Sequence, residues 1–168
     1  MNKKFLAPFF FVLAMAWVVA GHSDPSLKSQ IKTALSPPNS NWGLNENYTG
    51  EYRLLALGVK NSGQPVSFTV NYYEILEPAK EFLKVLREGA IKAPLYQGSE
   101  IQPLTSQTID GKSWETFTIR GKEGRNQQVW ARQIRDKVLL DIMYTATGDD
   151  FEKYRNEVMT LMKQASGF

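Results

Sequence analysis

Three turn signals, Asp110-Gly111, residues 121–125 and Arg135-Asp136, cut the second half of this 168-residue chain into runs of strand length. Asp-Gly is the two-residue hairpin sequence whose left-handed φ angles match the twist of an antiparallel pair. Residues 121–125 make a five-residue loop, and Arg135-Asp136 reads as a second two-residue turn. The runs between them are too short for independent helices and rich in Thr, Ile, Val and Trp, so a four-strand antiparallel meander follows.

The turns also predict the register. Around Asp110-Gly111, Leu104 faces Phe117. Around the last turn, Val129 faces Ile142, Ala131 faces Leu140 and Gln133 faces Val138. One face of the meander is then mostly apolar, as a pinned register requires. Residues 149–168 carry Phe151, Tyr154, Val158, Leu161, Met162 and Ala165 as a helical stripe expected to lie on that face. Thr147 or Asp149 is its expected cap, and Lys153 with Glu157 an i,i+4 pair.

Upstream, residues 52–60 are apolar on both faces and predict a central strand, while residues 66–73 alternate as a half-buried one. A helix starts at Pro78 and aligns Ala79, Phe82, Leu86 and Ala90. Residues 25–35 form a short helix with Leu27, Ile31 and Leu35 on one side, capped by Ser23 or Asp24. Pro37-Pro38 ends it, and residues 36–50 read as a Pro/Asn-rich linker pinned by Trp42 and Leu44, with a glycosylation sequon at Asn47. Residues 51–168 are thus expected to form a single α+β domain. Its antiparallel sheet has about six strands, four of them the C-terminal meander, and helices flank it.

The N-terminus constrains location. Lys3 and Lys4 precede an uncharged apolar stretch from Phe5 to Ala20, and Val18 and Ala20 suit a cut before Gly21. Residues 1–20 are read as a secretory signal peptide, with residue 23 as the alternative end. An exported, periplasmic product without stable membrane insertion follows. The alternatives are secretion, or anchoring by an uncleaved signal. Losing the two lysines leaves 18 basic residues against the 17 acidic ones, so charge gives no case for nucleic acid.

Composition removes much chemistry. The chain has no Cys, and its one histidine, His22, lies at the edge of the signal segment. Cys/His metal sites, thiol nucleophiles and histidine triads are therefore not expected, and no cofactor or metal is implied. No catalytic residue is assigned.

The order of strands, central helix, meander and C-terminal helix resembles the PsbP-like fold over roughly residues 40–168. Residues 137–168, KVLLDIMYTATGDDFEKYRNEVMTLMKQASGF, carry most of the likeness. They run as a hydrophobic strand, a small-residue turn, and F-x-x-Y on a helix ending near Ser-Gly-Phe. The family includes extrinsic photosystem II subunits, a nuclear-import factor that binds a Ran GTPase, and small exported bacterial proteins. The resemblance implies a PsbP-like sandwich serving as a non-enzymatic binding or assembly domain. The signal peptide fits the exported bacterial members.

Two residue groups are candidate surfaces. The predicted register places Trp114 beside Arg132, Thr116 beside Trp130, Thr118 beside Gln128 and Trp130 beside Asp141. Leu139 and Met143 share that face. Trp114, Trp130, Arg132 and Asp141 would form an amphipathic platform for a partner or ligand. The reading that outweighs it is burial of this face by the helix of residues 25–35 or the Trp42 loop. The second group is a basic edge of Arg120, Lys122, Arg125, Arg135 and Lys137, with Arg132 nearby. It would steer an acidic partner, or simply keep turns solvated and edges unpaired.

The leading expectation is a protein partner in the envelope or secreted space, or a role in envelope assembly. The alternative is a small-ligand carrier using a groove between sheet and helix. A weaker one is a His-free carboxylate hydrolase.

Overall fold

A computed structural model describes residues 25–45, 52–62, 65–122 and 124–168. The signal segment, its cleavage site, the cap at Ser23 or Asp24 and the Asn47 sequon lie outside the described residues.

Helix α1 (Pro25–Ala34) opens the described chain, and Leu27, Ile31 and Leu35 are all buried, as their spacing predicts. Each such burial contributes about 1.5–3 kcal/mol relative to leaving the side chain in water. Strands β1 (Trp42–Leu44), β2 (Arg53–Val59) and β3 (Ser67–Glu74) form successive antiparallel pairs. Helix α2 (Ala79–Lys92) crosses the sheet and delivers the chain to its far edge. There β4 (Glu100–Ile101) and β5 (Thr105–Ile109) pair with opposite ends of β6 (Lys112–Arg120). Strands β7 (Arg125–Arg135) and β8 (Val138–Thr147) complete an open antiparallel sheet in the order β1-β2-β3-β8-β7-β6-β4. Helices α3 (Asp150–Lys153) and α4 (Arg155–Ser166) follow.

The α+β class and the four-strand meander agree with the sequence. The count is eight strands rather than about six. The two additions are β1, three residues inside the expected linker, and β4, two residues long. Strands this short carry too little alternation to be read from a sequence. Trp42 anchors β1 in the core, whereas Leu44 is exposed.

Turn chemistry decides the register. Asp110 and Gly111 both have positive φ, 49° and 73°, and Thr105 faces Thr116, which is the predicted alignment. The β6–β7 pairs Thr116 with Trp130 and Thr118 with Gln128 are also as predicted. At the last hairpin the expectation fails. Arg135 pairs with Val138 around Asp136-Lys137, with Lys137 alone at positive φ, 64°, and a bulge falls between Gln133 and Arg135. The extra residue shifts β8 by one, so Trp130 faces Ile142, Ala131 faces Asp141 and Gln133 faces Leu139. With a side-chain period of two, that shift moves every β8 side chain to the opposite face.

Two cores result. One face of the sheet, with Phe68, Val70, Trp114, Trp130, Leu140, Ile142 and Tyr144, packs under α1, α3 and α4. The other, with Tyr73, Phe117, Val129, Ala131, Leu139 and Met143, packs under α2. The C-terminal helix therefore covers the tryptophan face, and α2 covers the face that carries Phe117 and Val129. The stripe of residues 151–165 is also broken at Tyr154 (φ −96°, ψ 10°). The Tyr144 hydroxyl lies 3.0 Å from both the Asp150 and the Phe151 carbonyl, and the Asp150 carbonyl also accepts from Tyr154 N at 3.2 Å. Asp149 precedes α3 without a side-chain cap bond, and Lys153 reaches Asp150 at 3.4 Å.

Candidate functional site

The expected platform is taken apart by the shifted strand. Trp114 and Trp130 are 0% and 1% exposed. Trp114 Nε1 donates to Ser166 Oγ at 2.9 Å, and that hydroxyl donates in turn to the Met162 carbonyl at 2.9 Å. Trp130 Nε1 donates to Gln107 Oε1 at 3.1 Å. Arg132 lies over the Trp114 ring at 5.7 Å, as their pairing suggests, and partial burial pulls its guanidinium below its ordinary pKa. Its two terminal nitrogens donate to the Ser166 and Phe168 carbonyl oxygens, the former at 3.2 Å. This triad of side chains fastens the end of α4 to the sheet. The helix bonded to these side chains is α4, and the two expected covers, α1 and Trp42, belong to the same core.

Asp141 is on the other face, beneath the layer that α2 occupies, and is 5% exposed. Asn71 Nδ2 donates to its Oδ2 at 2.8 Å, and Asn71 Oδ1 accepts from Arg53 Nε at 3.3 Å. Asp141 Oδ1 has no hydrogen-bond partner among the described residues. Burial raises its pKa from 3.8 to about 6, with the Asn71 bond and the Arg53 charge opposing the rise. Burial and the Asp141 charge together push the neighbouring Tyr73 phenol well above its ordinary range.

The basic edge divides into two poles. Arg120, Lys122 and Arg125 cluster at the β6–β7 hairpin, while Arg135 and Lys137 sit at the β7–β8 hairpin. Strand β7 is 11 residues long, which separates the poles by about 33 Å. It is also an interior strand, so these residues guard hairpins and not a sheet edge.

No sequence pattern marks the open cleft of about 380 Å³ that lies between α1 and the start of β2. Its walls are Lys28, Ser29 and Lys32 from α1, Tyr52, Arg53 and Leu54 from β2, and Tyr72 from β3. Lys28 and Lys32 each follow a buried residue, Leu27 and Ile31, and so project along the lip of the helix's packed face. Lys28 Nζ lies 4.7 Å from the centre of the Tyr72 ring. Tyr52 packs on Tyr73 with ring centres 5.0 Å apart and is 38% exposed. A bulge between Arg53 and Leu55 lets Arg53 line the cleft while bonding Asn71.

The described walls of the cleft include no carboxylate. Among the described residues no group of acidic side chains is placed to hold a metal ion, and no helix is long and apolar enough to cross a membrane. Searches of protein-family models and of curated proteins find no match to the chain.

Proposed function

We propose that this protein is a non-enzymatic, exported domain of PsbP-like kind that carries a small ligand in the cleft between α1 and the sheet. The cleft itself carries the reading. Its volume of about 380 Å³ lies within the size of small-molecule sites, and it sits where a helix bridges the sheet near an edge. Its walls combine aromatic surface with a few polar groups, the mixture that orients a small ligand. Periplasmic location rests on the signal segment read in residues 1–20.

The partner-platform reading loses its surface, because α4 roofs Trp114 and Trp130 and the shifted register removes Asp141 from their face. A fragment screen by ligand-observed NMR, with the binding site mapped by backbone amide shifts on the mature protein, tests the carrier reading. Hits that move residues 28–32 and 52–54 are expected. Hits confined to other surfaces, or none, would refute it.

A further inference from the structure

We infer that the cleft between α1 and β2 takes a small organic anion, a carboxylate or phosphate ester bearing an aromatic ring, held by Lys28, Lys32 and Arg53. The inference rests on the ligand-seat reading above and names the ligand's chemistry.

Three cations from two elements converge on one opening. Lys28 and Lys32 stand four apart on α1, a like-charge spacing that weakens a helix by a few tenths of a kcal/mol. Neither pairs with a carboxylate among the described residues. The contact that Lys28 does make, over the Tyr72 ring, positions its ammonium without neutralising it. Arg53 is held at the opposite wall by Asn71, which accepts from its Nε. Asn71 thereby orients the guanidinium, whose charge also acts on the buried Asp141, and planar forks of this kind match carboxylate and phosphate oxygens.

The ring requirement comes from Tyr52. Its own ring rests on Tyr73, which in turn packs on Phe82 at 5.1 Å, so Tyr52 is buttressed from the core outward. Tyr52 is 38% exposed and lines the cleft, so it offers an aromatic platform beside the three charges. A ligand with charge at one end and a flat apolar body at the other satisfies both walls.

The experiment is isothermal titration of the mature protein with phenyl phosphate, benzoate, inorganic phosphate and neutral benzyl alcohol, paired with amide-shift mapping. The variants are Lys28→Gln with Lys32→Gln, and Lys112→Gln as an exposed control on another element. Thermal melts confirm that each variant folds, since all three lysines are partly or fully solvent-exposed. At least one of the two aromatic anions should bind with shifts at residues 28–32 and 52–54. Its affinity should fall with added salt, and by at least about 10-fold in the double variant, which removes two of the three charged contacts. The control should not change.

Comparing phenyl phosphate with benzoate tells the two anion sources apart. Inorganic phosphate binding as tightly as phenyl phosphate would overturn the aromatic part. Benzyl alcohol binding at the cleft as well as the anions, with no loss in the double variant, would overturn the anion inference while leaving the ligand seat intact. If no probe binds there, both readings fall.

Discussion

Asp141 is the residue whose environment departs furthest from what its chemistry prefers. Its carboxyl is buried with one oxygen bonded to Asn71 and the other without a partner among the described residues. Its pKa is raised by burial from 3.8 to about 6. The folded state therefore binds this proton more tightly than the unfolded chain does, and stability falls as pH climbs between about 4 and 6. Above that window the full penalty, on the order of 3 kcal/mol, is present, and below it none remains. Asp141→Asn should flatten this dependence. Its melting temperature, by calorimetry, should exceed that of the parent protein at pH 8 and converge with it near pH 4. A constant difference across that range would show that the carboxyl titrates alike in the folded and unfolded chain, and that burial does not raise its pKa. On the opposite face of the sheet, the pair Trp114 and Ser166 works in the opposite sense, because both polar atoms are satisfied. Ser166→Ala strands the indole N–H and should cost about 1–3 kcal/mol in chemical denaturation.

At the level of elements, the β7–β8 hairpin is the decisive piece. Its Asp136-Lys137 loop places a lysine at φ 64°, where a side chain is strained and glycine is not. Lys137→Gly should therefore stabilise the protein by about 0.5–1 kcal/mol despite the added freedom of the unfolded chain. Urea denaturation measures this, and a destabilised variant would mean that the lysine's own contacts outweigh its strain. The bulge that accompanies this loop assigns Leu140, Ile142 and Tyr144 to the tryptophan face, and Leu139, Asp141 and Met143 to the α2 face. No residue in the hairpin announces a bulge: Arg135-Asp136 and Asp136-Lys137 are equally acceptable turn pairs by composition. By contrast, Asp110-Gly111 has one natural reading, and its hairpin forms in the predicted register.

On the scale of the whole molecule, the sheet divides two cores that share its strands but not their packed side chains. Ile31 of α1 and Leu83 of α2 are both fully buried, one in each core. Truncating either to Ala should cost about 2–4 kcal/mol by transfer and cavity terms together. The double variant should be additive to within about 0.5 kcal/mol, because neither cavity borders the other. A larger coupling, measured by a double-mutant cycle, would show that strain passes through the sheet. This layering also explains the cleft: α1 is anchored by Leu27, Ile31 and Leu35, and beside that stripe its lysine-bearing lip faces the start of β2.

Sequence alone determined what depends on neighbouring residues. The helical stripes of α1 and α2 and the Asp-Gly hairpin are local patterns, set by backbone geometry and by which side chains avoid water, whereas β3, expected to be half-buried, is buried on both faces because it lies between the two cores. The pairing of Trp114 with Arg132 and of Thr116 with Trp130 was also legible, since an unambiguous turn and a loop of fixed length set it. What only the tertiary structure decided was which face each of these residues shares with distant parts of the chain. A single bulged residue reassigned a whole strand, separated Asp141 from the tryptophans and turned an expected platform into core. The cleft was illegible for the same reason. Lys28 and Lys32 are separated from Tyr52, Arg53 and Tyr72 by a linker whose path no local preference encodes, and only the docking of α1 across the sheet brings them together.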